Sequence, residues 1–238
     1  TTRINAALSS GNAQTLLPED RDVLLQKALG WASVTQRSQQ MQERAILGLD
    51  GRAGDPAPDS SLTFVGGESI DINILHMQLA TPLLVSNTGK NLASLGMLGK
   101  GRSLAYGTNI LAKFNKGQQL QHLPLFRRAL TWLLTGDARG TLPATLRYNV
   151  NGYSAQTVQT YLTQQLQRTG TAITCDIFDP ANTCWQDIDL MVIGGGNYDP
   201  VVVQKQLATY MAAGKAVLIL PSYWNDSERV RPVLSALG

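Results

Sequence analysis

Reactive side chains are scarce in this sequence. Its 238 residues include two histidines and two cysteines. No H-E-x-x-H, no G-x-x-x-x-G-K-[ST] and no G-x-S-x-G occurs in it, and no G-x-G-x-x-G opens a helix. These absences exclude a helical zinc-peptidase motif, a P-loop, a nucleophile elbow and a dinucleotide fingerprint within these residues. Charge is also sparse, at 16%, with a net value of +3 and a single adjacent basic pair, Arg127-Arg128. That composition argues against disorder and against a nucleic-acid-binding tail. No apolar run is long enough to span a bilayer. The chain starts at Thr1 without a leader-like stretch and stops at Gly238, so it reads as a piece cut from something longer.

The two cysteines, Cys175 and Cys184, flank Asp179-Pro180-Ala181-Asn182, a set of turn formers able to bring them together. This favours a bridge over two free thiols, and a bridge implies an oxidising compartment. A structural zinc site needs about four ligands. His76 and His122 lie far from both cysteines in sequence, so a zinc site here is a weak reading.

What the sequence does contain is a β-α-β unit. Leu190-Met191-Val192-Ile193 is a short apolar run that stops at Gly194-Gly195-Gly196, the pattern of a strand buried on both faces. Val201 to Ala213 follows with helical spacing, placing Val203, Leu207, Tyr210 and Met211 on one side, and Gly214 suits a left-handed cap. Lys215 to Pro221 is a second buried strand. Burial of both strand faces requires helices on both sides of a mostly parallel sheet.

The rest is built outward from that unit. Residues 1–50 read as a helical arm and 51–60 as a linker; residues 61–238 form the α/β domain, of which 61–100 are peripheral β pieces (Ser61–Val65, Ile70–Gln78, Pro82–Ser86). Ser103–Tyr106 is a strand that bends at Gly107-Thr108-Asn109. Leu123–Leu134 is a helix with Pro124 in its first turn. Thr145–Val150 is a strand, Ser154 caps a helix that Gly170 ends, and Thr171–Phe178 is the next strand. Ser227 caps a last helix. The alternation, with right-handed crossovers, predicts a three-layer α/β sandwich with a doubly wound sheet, flavodoxin-like or class I amidotransferase-like.

In such a sheet a site lies beyond the carboxyl ends of the strands. The candidate ligand-binding residues are Thr108, Asn109, Asn197, Tyr198, Tyr223 and Trp224. An amidotransferase needs a cysteine on a strand-to-helix turn with a histidine base. Thr108 occupies the nearest equivalent of that turn, and neither histidine follows the later strands. The glycines at 194–196 read as a tight turn; Asp199-Pro200 at the following helix start would oppose an anion.

Three segments together, Gly99-Lys100-Gly101-Arg102-Ser103-Leu104-Ala105-Tyr106-Gly107, Asp189 to Gly195, and Ala212 to Ile219, resemble a known module. It is the amidotransferase-like domain N-terminal to the catalytic domain in secreted, enhancin-like zinc metallopeptidases. That group includes the bacterial immunomodulating metalloprotease and the accessory colonisation factor lipoproteins, which cleave mucin-type glycoproteins. The similarity covers Ser61 to Gly238. It implies a secreted, host-glycoprotein-directed protease as parent, with zinc ligands C-terminal to Gly238 and none in this segment. It also favours the Cys175–Cys184 bridge.

The expected function is therefore a non-catalytic accessory or recognition domain of such a peptidase. Its partners would be the C-terminal catalytic domain and a host glycoprotein, with no nucleic acid and no membrane span. The alternatives are a small-molecule-binding or hydrolytic domain using Thr108, Asn109 and Ser222, and a structural domain whose helical arm packs on a partner chain.

Overall fold

A computed structural model describes Ile72 and residues 79–86, 88, 90–221 and 227–237. The expected arm at 1–50, the linker at 51–60, the first β piece, His76, Ser222, Tyr223 and Trp224 lie outside the described residues.

The strands in chain order are β1 (Ala80–Val85), β2 (Asn91–Leu98), β3 (Gly101–Tyr106), β4 (Thr145–Asn151), β5 (Thr169–Ala172), β6 (Leu190–Ile193) and β7 (Ala216–Ile219). The helices are α1 (Ile110–Asn115), α2 (Leu123–Thr135), α3 (Ala155–Leu166), α4 (Pro200–Ala212) and α5 (Ser227–Leu237). One sheet contains all seven strands in the order β1-β2-β3-β7-β6-β4-β5. From β3 to β5 every pairing is parallel; β1 and β2 add an antiparallel edge. The sandwich expected from the alternation is present.

The apolar run in β6 explains the layering. Leu190 and Val192 face one core with α1, α2 and α3; Met191 and Ile193 face another with α4 and α5. All four are buried, and each burial contributes about 2 kcal/mol of transfer free energy. The first core centres on Phe114, Phe126 and Tyr161, whose ring centroids lie 5.5 to 5.9 Å apart. The second is built around Val203, Leu207, Tyr210 and Met211, the stripe read from the sequence.

Local signals fix the helix ends. Asp199 Oδ1 accepts from the N–H groups of Val201 and Val202 and starts α4 ahead of Pro200. Gly214, at φ +80°, follows its last turn. Ser154 Oγ accepts from Thr157 N and starts α3. The α2 C-terminus is held from across the layer: Arg102 donates from Nε to Leu133 O at 2.9 Å and from Nη2 to Leu134 O at 3.3 Å. A cation on two orphan carbonyls at a helix end is favourable on both hydrogen-bonding and dipole grounds.

Four details differ from the sequence reading. The β2 strand is an addition; it pairs with both β1 and β3. The third β piece spans Ala80–Val85, with Pro82 tolerated on an edge strand beside a register irregularity. The α3 helix ends on Gln167, itself left-handed at φ 55°, whereas Gly170 lies inside β5. A Cβ on Gly170 would sit 2.9 Å from the Tyr148 ring, so that glycine serves packing. The strand expected at Thr171–Phe178 runs only over Thr169–Ala172. Asn149 Nδ2 donates to both Ile173 O and Cys175 O at 2.9 Å and draws the chain out of strand geometry.

The connection from β5 to β6, residues 173–189, contains no α-helix; its one helical turn is a 3-10 turn at Cys184–Asp187. It nevertheless covers the sheet, burying Ile177 and Ile188 and packing Ile173, Cys175, Phe178 and Trp185 against the second core.

Candidate functional site

After β4 the chain crosses to α3 and pairs β5 on one side of β4, then returns to place β6 on the other. The order reverses at β4, so the crevice expected in a doubly wound sheet lies above the carboxyl ends of β4 and β6. Asn151-Gly152-Tyr153 leaves β4 there, and Gly194 to Tyr198 leaves β6.

These two loops are in backbone contact. Gly152 sits at φ +61°, and a Cβ on it would lie 1.7 Å from Gly195 O. A Cβ on Gly194 would lie 2.2 Å from Gly152 O. Both positions therefore require glycine. This is a tight-turn role for the triple glycine, as its sequence suggested. The N-terminus of α4 just beyond is filled by the Asp199 carboxylate, which disfavours an anion there.

Aromatic side chains stand around these loops. The Tyr153 ring lies next to Gly194, within 3.1 Å of a Cβ placed there. Its hydroxyl donates to Asn109 Oδ1, which also caps α1 by accepting from Ala112 N. Burial pushes the Tyr153 phenol well above its ordinary range, so it stays protonated and remains a donor. Tyr198 donates to Asn151 O at 3.3 Å and packs edge-on against Phe178 at 5.1 Å.

Of the residues singled out from the sequence, Thr108 is buried behind the rim, its carbonyl accepting from Ile110 N at 2.8 Å. Asn109 and Tyr198 are half-buried and joined to the β4 loop by the bonds just described; Asn197 is exposed. Cys175 and Cys184 form a disulfide, with Cα atoms 5.9 Å apart. Sequence reasoning placed Asn149 among the residues at the strand ends and missed Tyr153 and Phe178. Tyr153 carries a usable signal, an aromatic directly after a turn glycine at a strand's carboxyl end.

Elsewhere, potential reagents are already engaged. His122 is buried and its Nδ1 lies 2.9 Å from the Tyr106 hydroxyl. At the amino ends of the strands, Arg147 forks onto Asp189 through Nε and Nη2, at 3.2 and 2.9 Å, and reaches Asp187 at 3.4 Å. Lys215 Nζ donates to Gln186 O and Ile188 O. Burial pushes the Asp189 carboxyl up, but the bonds from Arg147 outweigh it and hold the group below the usual carboxylate range. Among the described residues no three His, Cys, Asp or Glu side chains are grouped to hold a metal ion. No helix of the described residues is long and apolar enough to cross a membrane.

The fold thus defines a doubly wound α/β domain with two half-buried tyrosines, Tyr153 and Tyr198, at its switch-point rim. The chain belongs to the immunomodulating metalloprotease N-terminal domain family, whose model matches residues 58–238. The immunomodulating metalloprotease of Pseudomonas aeruginosa (strain PAO1) is 30% identical over 158 residues, 66% of this chain and 17% of that protein. The solved IMPa metallopeptidase from Pseudomonas aeruginosa superposes with a TM-score of 0.65 at 25% identity, covering 87% of this chain and 23% of that one. A structure of IMPa from the same organism in complex with an O-glycopeptide gives 0.64 at 24% identity, with the same coverage. An IMPa complex with T-antigen gives 0.64 at 24%, covering 98% and 25%. The chain spans between 17% and 25% of the length of these relatives.

Proposed function

We propose that this chain is an accessory and recognition domain of a zinc metallopeptidase that acts on mucin-type O-glycoproteins outside the cell. It contributes no catalytic group. It works by holding the C-terminal catalytic domain and by contacting glycoprotein substrate or host surface. The observation that carries this reading is the rim: Tyr153, bonded to Asn109 and lying next to Gly194, stands beside the switch point where a doubly wound enzyme holds its substrate. The membership in a metalloprotease N-terminal family, and relatives solved with O-glycopeptide and T-antigen, support it. The scaffold is a degenerate amidotransferase-like one on this view. Its cysteines are consumed in a bridge, and Thr108 stands where a nucleophile would. Zinc belongs to the catalytic domain of the parent, and the bridge fits a secreted or cell-surface location.

The test is to assay the parent peptidase with and without this domain on an O-glycoprotein and on a short glycopeptide. Loss of kcat/KM on the glycoprotein with the short peptide spared is expected. Cleavage by this chain alone, with or without added zinc, would overturn the reading.

A further inference from the structure

Among the described residues, the 173–189 connection is a long stretch that covers the sheet without an α-helix. Its backbone bonds form isolated turns rather than a continuous ladder. The bonds within it are local: Asp176 Oδ1 accepts from Phe178 N, Asp179 Oδ1 from Ala181 N, and Asn182 Nδ2 donates to Asp176 O. At the upper end it is tied to the sheet by Ile173 N, which donates to Tyr148 O at 2.7 Å, and by Asn149. That side chain is 3% exposed, stands level with Met191 in the sheet, and grips the Ile173 and Cys175 carbonyls. Its own Oδ1 is buried without a hydrogen-bond partner, which subtracts from the grip. At the lower end the segment is held by Lys215 Nζ on Gln186 O and Ile188 O. The Cys175–Cys184 bridge joins the upper tie to the 3-10 turn that leads into β6.

Phe178, inside the bridged loop, packs on Tyr198, and Tyr198 holds the Asn151 carbonyl on the β4 loop. The loop therefore supports the crevice rim as well as the second core.

We propose that the Cys175–Cys184 bridge is a redox latch: closed, it keeps the non-helical cover on β4 and β6 and fixes the Asn197–Tyr198 rim; open, it frees both. Opening requires an external dithiol. One of its thiolates attacks a cysteine sulfur, the S–S bond breaks to a mixed disulfide, and its second thiol displaces the other cysteine. Two electrons and two protons pass to the protein, leaving two cysteine thiols and an oxidised dithiol. Both cysteines are half-buried, not sealed in the core. The latch does not depend on what the domain recognises.

Amide hydrogen exchange on this chain, oxidised and then in dithiothreitol, tests the proposal. Reduction is expected to speed exchange about tenfold or more in 174–189 and in 194–198, the scale set by releasing a closed loop of this size. Amides of β3 and α2 should stay at their oxidised rates. Cys175→Ser with Cys184→Ser should reproduce the reduced pattern without reductant. Phe178→Ala, with the bridge intact, should loosen 194–198 while 174–189 stays slow. An unchanged loop on reduction, or an equal rise across β3 and α2, overturns the latch. An unchanged rim in Phe178→Ala overturns its link to the site.

Discussion

The two faces of the sheet are covered differently. One carries α1, α2 and α3 over the Phe114, Phe126 and Tyr161 cluster. The other carries α4 and α5 plus the bridged 173–189 segment. The first core is the larger and carries most of the buried aromatic rings; the second is mainly aliphatic. The covers also differ in what holds them in shape: helices on one side, and on the other two helices plus a cross-linked loop gripped by a buried amide. A face of the first kind should respond to core truncation and ignore redox state; a face of the second kind should respond to both.

The largest expected effect tests the helical side. Phe126→Ala removes a ring that makes edge contacts with Tyr106, Phe114 and Tyr161. It should lower unfolding stability by about 3–5 kcal/mol in urea titration, equally with and without reductant. A loss that changes with reductant would break the comparison. Next is the bridge: Cys175→Ser with Cys184→Ser should quicken amide exchange across 174–189 about tenfold or more, with the α2 amides unmoved. Arg102→Met is smaller. It strips the donors from the Leu133 and Leu134 carbonyls and should cost about 2 kcal/mol, with exchange quickening at the α2 C-terminus.

The smallest effect is at the foot of the loop-covered face. The folded Asp189 carboxyl titrates below its unfolded range, so the unfolded chain takes up the proton first as pH falls. The stability it contributes is fully present above the unfolded aspartate range near ~4 and is lost as pH drops through the folded value. Asp189→Asn should flatten that acid limb slightly, since the Arg147 pair is exposed and such pairs contribute little. A steep loss near neutral pH would show that another group governs this end.

The same contrast explains what the sequence revealed. The strand Leu190–Ile193 and the helix after it were legible because four buried residues and a 3.6-residue stripe are local patterns. The β2 strand was not, because Asn91–Leu98 neither alternates nor runs continuously apolar, and its Gly96 is needed only because a Cβ there would meet Ser103 Oγ at 2.3 Å. Residues 173–178 imitated a strand. Their Ile173 and Ile177 face the sheet from a loop whose shape depends on Asn149, far away in sequence. Topology alone put Thr108, Asn109 and Tyr198 beyond the carboxyl ends of the strands, where the fold has them. The contacts between the loops were hidden because Gly152 meets Gly195, and Tyr153 meets Asn109, only through the fold.

One consequence lies in the position of β7. Among the described strands it comes last in the chain, yet it sits between β3 and β6. A nascent chain that has not yet delivered Ala216–Ile219 has two ribbons with no shared edge: β1-β2-β3, and β6-β4-β5. Neither can close. Assembly is thus set by a long-range insertion of β7 between strands made well before it, the kind of event that makes folding slow. A chain threaded through a narrow exit would stay pliable here until Ala216–Ile219 had emerged.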